Sequence, residues 1–310
     1  MLYQFSNIKK LFLLGIAVAS TKVVLLLFAY FFNAENYNLF NQIYYTASMV
    51  ILFGSLGFNI AVTRVGLNLK LVAVAVLVNV FIAYVFLQVT SEPFVSVYQI
   101  ASIIIYALFS SLGGIYVFHL LFSGNYKDYV ILTLLYSLLH LLIIPVVLFL
   151  NADLFLVLPF VSFLWFVIGF PKYIKQNGSS KKEIKEFYKI GLSAFIINSA
   201  VSLALAADKY FVNHFFSLEL ANSYTFAWGI TAPMFYIGVL VEQFLFSETN
   251  ITRSNILKRG FILSTSFIFI YAIAVLFVIN FFPNVFPGSV NYNYVLKITT
   301  LMITGYSLYV

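Results

Sequence analysis

The chain has 310 residues, of which 63% are hydrophobic and 9% charged, with a formal net charge of +7 and no cysteine. A soluble domain coats itself with about 25% charged residues. A mean hydropathy of +1.01 therefore excludes a soluble globular enzyme, and the missing cysteines exclude a disulfide framework and any thiolate metal site. The basic residues sit in short loops between apolar blocks. There they orient membrane spans and do not form a nucleic-acid footprint.

The apolar blocks have membrane-spanning length, about 20 residues each. The start, MLYQFSNIKKLFLLGIAVASTKVV, resembles a signal peptide. It runs into a full span with no small-residue cleavage site, so it reads as the first helix. Span 1 covers about residues 11–32, span 2 43–65, span 3 69–90, span 4 97–122, span 5 129–150 and span 6 154–170. Then comes Lys172–Lys189, KYIKQNGSSKKEIKEFYK, the one long polar run, with six lysines against Glu183 and Glu186. Span 7 covers residues 191–207 with a possible continuation past Asp208, span 8 222–246 and span 9 261–282; span 10 opens near Tyr294. No segment repeats the polar–apolar alternation of a barrel. The expected fold is all-α, a polytopic transmembrane helical bundle. Residues 1–171 make an N-terminal lobe of six helices, 172–189 a cytoplasmic basic inter-lobe loop, and 190–310 an incomplete C-terminal lobe of four.

Loop charge orients this bundle. With the N-terminus inside, inner loops carry Lys9, Lys10, Arg64, Lys70, Lys127, the lysine cluster, Arg253, Lys258 and Arg259. Outer loops carry Glu35, Glu92, Asp153 and Glu219, with Lys209 the basic exception. That bias is what the positive-inside rule expects.

Ionisable residues within the spans are the candidate functional groups. Lys22 lies about eleven residues into span 1, where a charge costs roughly 2.5–3.5 kcal/mol and needs a partner or a wet cavity. Helical spacing puts it on a face with Gly15, Ala19 and Leu26. This suits a cavity wall better than the alternative of a lysine snorkelling to an interface. Glu242 follows Pro233 in span 8. The proline is expected to kink the helix and free carbonyls. Glu242 is either an ion-coupling carboxylate or an interfacial one. His119 and His140 are either proton relays or, as favoured, histidines hydrogen-bonded between helices. Arg64 reads as a topology anchor. Asp208 and Lys209 close span 7; as sequence neighbours they point in different directions, so they are not read as a pair. Gly54, Gly57, Gly113 and Gly114 are expected to allow close helix packing, and Pro145 and Pro159 to kink spans 5 and 6. No phosphate loop, metal-spaced cluster or nucleophile motif is present.

Two stretches carry a family resemblance. In the first, Thr21-Lys22, Glu35-Asn36-Tyr37, Ser55-Leu56-Gly57-Phe58 and Ala61 with Arg64 resemble a pattern of bacterial O-antigen and polysaccharide flippases. These are of the Wzx type, within the multidrug/oligosaccharidyl-lipid/polysaccharide exporter superfamily. In the second, Asp208-Lys209, Glu219, Tyr224 and Ala227 are similar to that family's pattern from the end of helix 7 into helix 8. The resemblance implies two six-helix lobes (a MATE-like architecture) rocking around a central cavity. It implies a substrate of undecaprenyl-diphosphate-linked oligosaccharide, moved from the cytoplasmic to the periplasmic face of the bacterial inner membrane. It also implies no catalytic step and no cofactor, coupling to an ion gradient, and a polysaccharide polymerase and chain-length regulator as neighbours in the lipid bilayer. In this reading Lys22, Arg64, Asp208 and Lys209 line the substrate path, and Glu242, His119 and His140 are the ion-coupling candidates. Ten spans stand against the family's twelve, so a C-terminal portion of the second lobe is expected to be missing. The alternatives are a small-molecule antiporter of the same superfamily, a membrane polymerase of the polysaccharide pathway, or an inert fragment.

Overall fold

The computed structural model describes residues 2–55, 57–65, 69–90, 96–173, 181–246 and 253–309. It is 91% helix, with no strand among the described residues. In chain order the helices are α1 (Leu2–Phe31), α2 (Ala34–Ser55), α3 (Phe58–Val65), α4 (Leu69–Thr90), α5 (Val97–Phe122) and α6 (Tyr126–Leu141). They continue as α7 (Ile143–Leu150), α8 (Leu154–Tyr173), α9 (Lys181–Phe215), α10 (Leu218–Phe246), α11 (Arg253–Phe281) and α12 (Tyr292–Tyr309). Three stretches among the described residues are long and apolar enough to cross a membrane: Leu13–Phe31, Val97–Leu121 and Tyr126–Leu150. Shorter apolar stretches lie at Val72–Ile82, Leu154–Gly169 and Thr265–Phe281. The fold is thus a helical one consistent with a membrane protein.

Local chemistry explains the helix ends. Ser96 and Gln99 form a reciprocal capping box at the start of α5, satisfying two backbone donors that the first turn leaves open. Asn125 caps α6 by accepting from the Asp128 amide. Asp153 accepts from the Phe155 amide at 2.9 Å and from Tyr98 Oη at 3.1 Å, which fixes the start of α8 beside α5.

Several expected spans are not single rods. Span 2 divides into α2 and α3 around Gly57, whose φ is +69°. Only glycine enters that region without a Cβ penalty. Span 5 divides at Leu142 into α6 and α7. Pro145, three residues on, has no amide to donate back and clashes with the preceding turn. In contrast, α8 runs unbroken through Pro159 and α10 through Pro233. One turn before Pro233 the Ile230 carbonyl accepts from Tyr271 Oη of α11 at 2.7 Å. A carbonyl beside the proline is thereby satisfied by a neighbouring helix.

The chain divides into two compact units. The first comprises residues 1–38 and 217–310. In it α10 packs against α1, α11 and α12, over a core of Met234, Ile268, Ala272, Val275, Ile279 and Ile303. The uncharged loop after α11 is fastened by polar bonds. Ser289 Oγ donates to the Ala29 carbonyl, and Asn222 Nδ2 donates to the carbonyls of Ala34 (2.9 Å) and Ser289 (3.2 Å).

The second unit comprises residues 39–216. Here α5 is central, packing on α3, α4, α6 and α8, while α3 packs on α9. Gly113 of α5 meets the Trp165 ring of α8 so closely that a methyl there would overlap it. The Trp165 indole donates to the Leu132 carbonyl at 2.9 Å. Gly114, expected to serve the same purpose, does not: a methyl at that position meets nothing within 4 Å. It lies about 100° round the helix from Gly113 and off the contact.

Candidate functional site

The charged residues with the most definite environment lie near the end of α9, in the second unit. This helix does not stop at Ala207 but continues to Phe215. Its polar residues fold back onto the helix itself. Asn213 Nδ2 donates to the Lys209 carbonyl at 2.8 Å, and His214 Nδ1 lies 2.7 Å from the Tyr210 carbonyl. Satisfying polar groups within the helix removes the penalty of leaving them buried and unmatched.

Contrary to the sequence expectation, Asp208 and Lys209 do form an ion pair, with Lys209 Nζ 2.8 Å from Asp208 Oδ1. Adjacent Cβ atoms diverge by about 100° on a helix. The flexible four-carbon lysine stem curls back over that angle. Burial makes the contact necessary. The Lys209 side chain is 3% exposed and that of Asp208 33%, so the carboxylate is the accessible partner. An ammonium so enclosed is tolerated only when paired.

Beyond the pair, towards Phe215, α2 contributes amide and hydroxyl groups. Gln42 Nε2 donates to the Asn213 carbonyl at 3.0 Å, and Thr46 Oγ1 lies 3.2 Å from His214 Nε2. Asn41 is buried on the same helix, and its Nδ2 has no hydrogen-bond partner among the described residues. The result is a polar contact between α2 and the end of α9 at Asn213 and His214. Sequence reading named Asp208 and Lys209 but missed Gln42, Thr46 and Asn213. No signal in the sequence marked them, because uncharged polar residues also occupy other buried helix positions, such as Asn41, Ser102 and Ser110.

The remaining candidates are spread out. Lys22 lies mid-way along α1 in the first unit and is half-buried. The buried seam of α1 runs through Leu14, Ala17, Val24 and Phe28, and Lys22 sits beside it. One turn on, Leu26 presses against Gly229 of α10, where a methyl would come within 2.7 Å of Leu26 Cδ2. His140, in the second unit, is buried among aromatics. Its Nε2 is 3.1 Å from Tyr106 Oη, its Nδ1 is 2.9 Å from the Tyr136 carbonyl, and Tyr106 Oη is 3.3 Å from Tyr136 Oη. His119 is half-buried near the end of α5. Arg64 belongs to α3 and Glu242 to α10; their side chains lie outside the described residues. Of the lysine-rich run, residues 174–180 lie outside them too, while Lys185, Glu186, Tyr188 and Lys189 are exposed on the first turns of α9.

No protein-family model matches the chain, and no curated protein or solved structure shows significant similarity to it.

Proposed function

We propose that this chain is a flippase that carries an undecaprenyl-diphosphate-linked oligosaccharide from the cytoplasmic to the periplasmic face of a bacterial inner membrane, coupled to an ion gradient. In this reading it has ten spans in two lobes, with the N-terminus and Lys172–Lys189 in the cytoplasm. The observation that carries the reading is the enclosed Lys209 ammonium, held 2.8 Å from the partly exposed Asp208 carboxylate near the end of α9. An enclosed ionisable group in a membrane protein is by default a functional-site candidate. The resemblance of the Thr21–Arg64 and Asp208–Ala227 stretches to polysaccharide flippases supplies the substrate class. A diphosphate cannot enter hydrocarbon unpaired, and lysine ammonium groups are its natural counterions. Lys22, Arg64 and Lys209 are separate candidates for that role, and Asp208 shields Lys209 until a competing anion is present.

The test is deletion of the gene in its own host, with lipid-linked repeat units quantified on each face of the membrane. The expected result is accumulation on the cytoplasmic face and loss of surface polymer. Reintroducing the gene restores both, and a Lys22→Ala version does not. Unchanged surface polymer after deletion would overturn the assignment.

A further inference from the structure

One face of α9 changes chemistry along its length. Phe187, Gly191 and Ala194 are buried and turned towards α3. Phe187 stacks on Phe58 with ring centroids 5.0 Å apart. A methyl on Gly57 would overlap the Gly191 carbonyl oxygen and come within 3.1 Å of Ala194 Cβ. The residues on the other side of the helix, Lys185, Tyr188, Lys189, Leu192 and Ile196, are all exposed. At about 100° per residue these five share an arc of about 100°. Over about 16 Å of rise, the arc runs from the two ammonium groups, past a phenol, to the aliphatic side chains of Leu192 and Ile196, which are 54% and 66% exposed.

We propose that this face binds an anionic phospholipid, with Lys185 and Lys189 on its phosphate and Leu192 and Ile196 against its acyl chains. The proposal rests on reading α9 as a membrane span and not on what the chain transports. Three observations carry it. The order of side chains along the face is the order of polarity along a phospholipid: charge, then an aromatic residue of the interfacial belt, then hydrocarbon. Lys185 and Lys189 are one turn apart, where like charges repel, and a phosphodiester between the two ammonium groups turns that repulsion into attraction. Finally, the packing of Phe187 and Gly191 on the opposite side holds this stretch of α9 in place, so both lysines are presented at a fixed depth. The acidic neighbour Glu186 lies about 100° round the helix from Lys185, off the face.

The chain has no cysteine, so spin labels can be placed singly. Lys185→Cys, Leu192→Cys and Ile196→Cys variants of the full chain, labelled and reconstituted in bilayers, report contact with membrane-dissolved oxygen and with a water-soluble nickel chelate. The label at 196 should respond mainly to oxygen and the label at 185 mainly to nickel, with the label at 192 between them. Mainly nickel contact at 196 would mean that the face looks onto water, and that outcome overturns the proposal.

Lipid binding is then read by native mass spectrometry of the full chain released from nanodiscs that hold phosphatidylglycerol and phosphatidylethanolamine in equal amounts. The unaltered chain should retain phosphatidylglycerol in preference. Lys185→Gln/Lys189→Gln should weaken its retention by about 30-fold, which is about 5-fold for each lysine. Lys127→Gln, which removes an exposed lysine at the start of α6, should leave it unchanged. An equal loss in Lys127→Gln would mean that net charge alone attracts the lipid, and overturns the proposal. So does undecaprenyl diphosphate displacing an equal amount of phosphatidylglycerol only when both lysines are present, since the face would then belong to the transported lipid. Unchanged surface polymer after deletion of the gene removes the flippase reading and leaves the phospholipid site to be judged by these two measurements.

Discussion

The helix α9 is held by α2 and α3 at two places built from opposite materials. At its lysine-rich end the contact is dry: Gly57 lies against Gly191, and Phe58 against Phe187 and Tyr188. Towards Phe215 it is polar: Gln42 bonds Asn213, Thr46 meets His214, and Lys209 is neutralised by Asp208. Shape complementarity governs the first contact, and matching of donors, acceptors and charges governs the second. They should therefore respond to different substitutions, and the difference is measurable.

The largest effect is expected at Gly57. Alanine there incurs roughly 1–3 kcal/mol for a left-handed non-glycine residue, and overlap with the Gly191 carbonyl adds about 1–3 kcal/mol. Thermal unfolding of Gly57→Ala in detergent should show the largest drop in Tm of this series. A change within error would mean that the dry contact is not tight.

Next is Asp208→Asn, which leaves the Lys209 ammonium enclosed without its counter-charge, a loss of about 3 kcal/mol or slightly more. The informative comparison is the double variant Asp208→Asn/Lys209→Met, which should recover most of that loss because no charge remains buried. If the double variant is as unstable as the single, the ion pair is not what holds the polar end.

Phe58→Leu should come third, at about 1–1.5 kcal/mol, since it keeps most of the apolar area and loses the ring pairing. The smallest effect belongs to Gln42→Ala, about 1 kcal/mol for one hydrogen bond to a carbonyl. A double-mutant cycle sharpens the contrast. Phe58→Leu and Gln42→Ala should add within about 0.5 kcal/mol because they share no partner. Strong coupling would mean that the two contacts form and break as one.

The helical character and most helix positions were legible in the sequence, because runs of apolar residues bounded by loop charge need no tertiary information. Span 8 and α10, and span 10 and α12, agree at their described ends to within a few residues, whereas α1 begins nine residues before span 1, at Leu2. Breaks inside the runs were less legible. Hydropathy does not register that Gly57 adopts a positive φ, so α2 and α3 read as one span. Pro145 did announce the interruption near Leu142, because a proline changes backbone chemistry directly. Pro233 is the same residue type, yet α10 runs on through it.

The site was legible in its charged members and not in their partnership. Helical geometry argues against contact between Asp208 and Lys209, but it describes Cβ directions and not the reach of a long side chain under burial. The polar lining from Gln42, Thr46 and Asn213 was invisible for a different reason. Such residues acquire meaning only when two helices far apart in sequence are brought side by side.

The length of α9 has a mechanical consequence. At 35 residues it measures about 52 Å, while a bilayer core is about 30 Å thick. Its two fixings, at Gly191 and Asn213, are about 33 Å apart at 1.5 Å per residue. A stiff rod pinned at two points one membrane-thickness apart can act as a lever: release of either pin makes the other the fulcrum. A tilt of about 10° would then sweep the freed end through roughly 6 Å, more than one helical turn's pitch. Loosening the ring stack would therefore swing the lysine-rich end of α9 while the polar groups near Asn213 stay as its pivot.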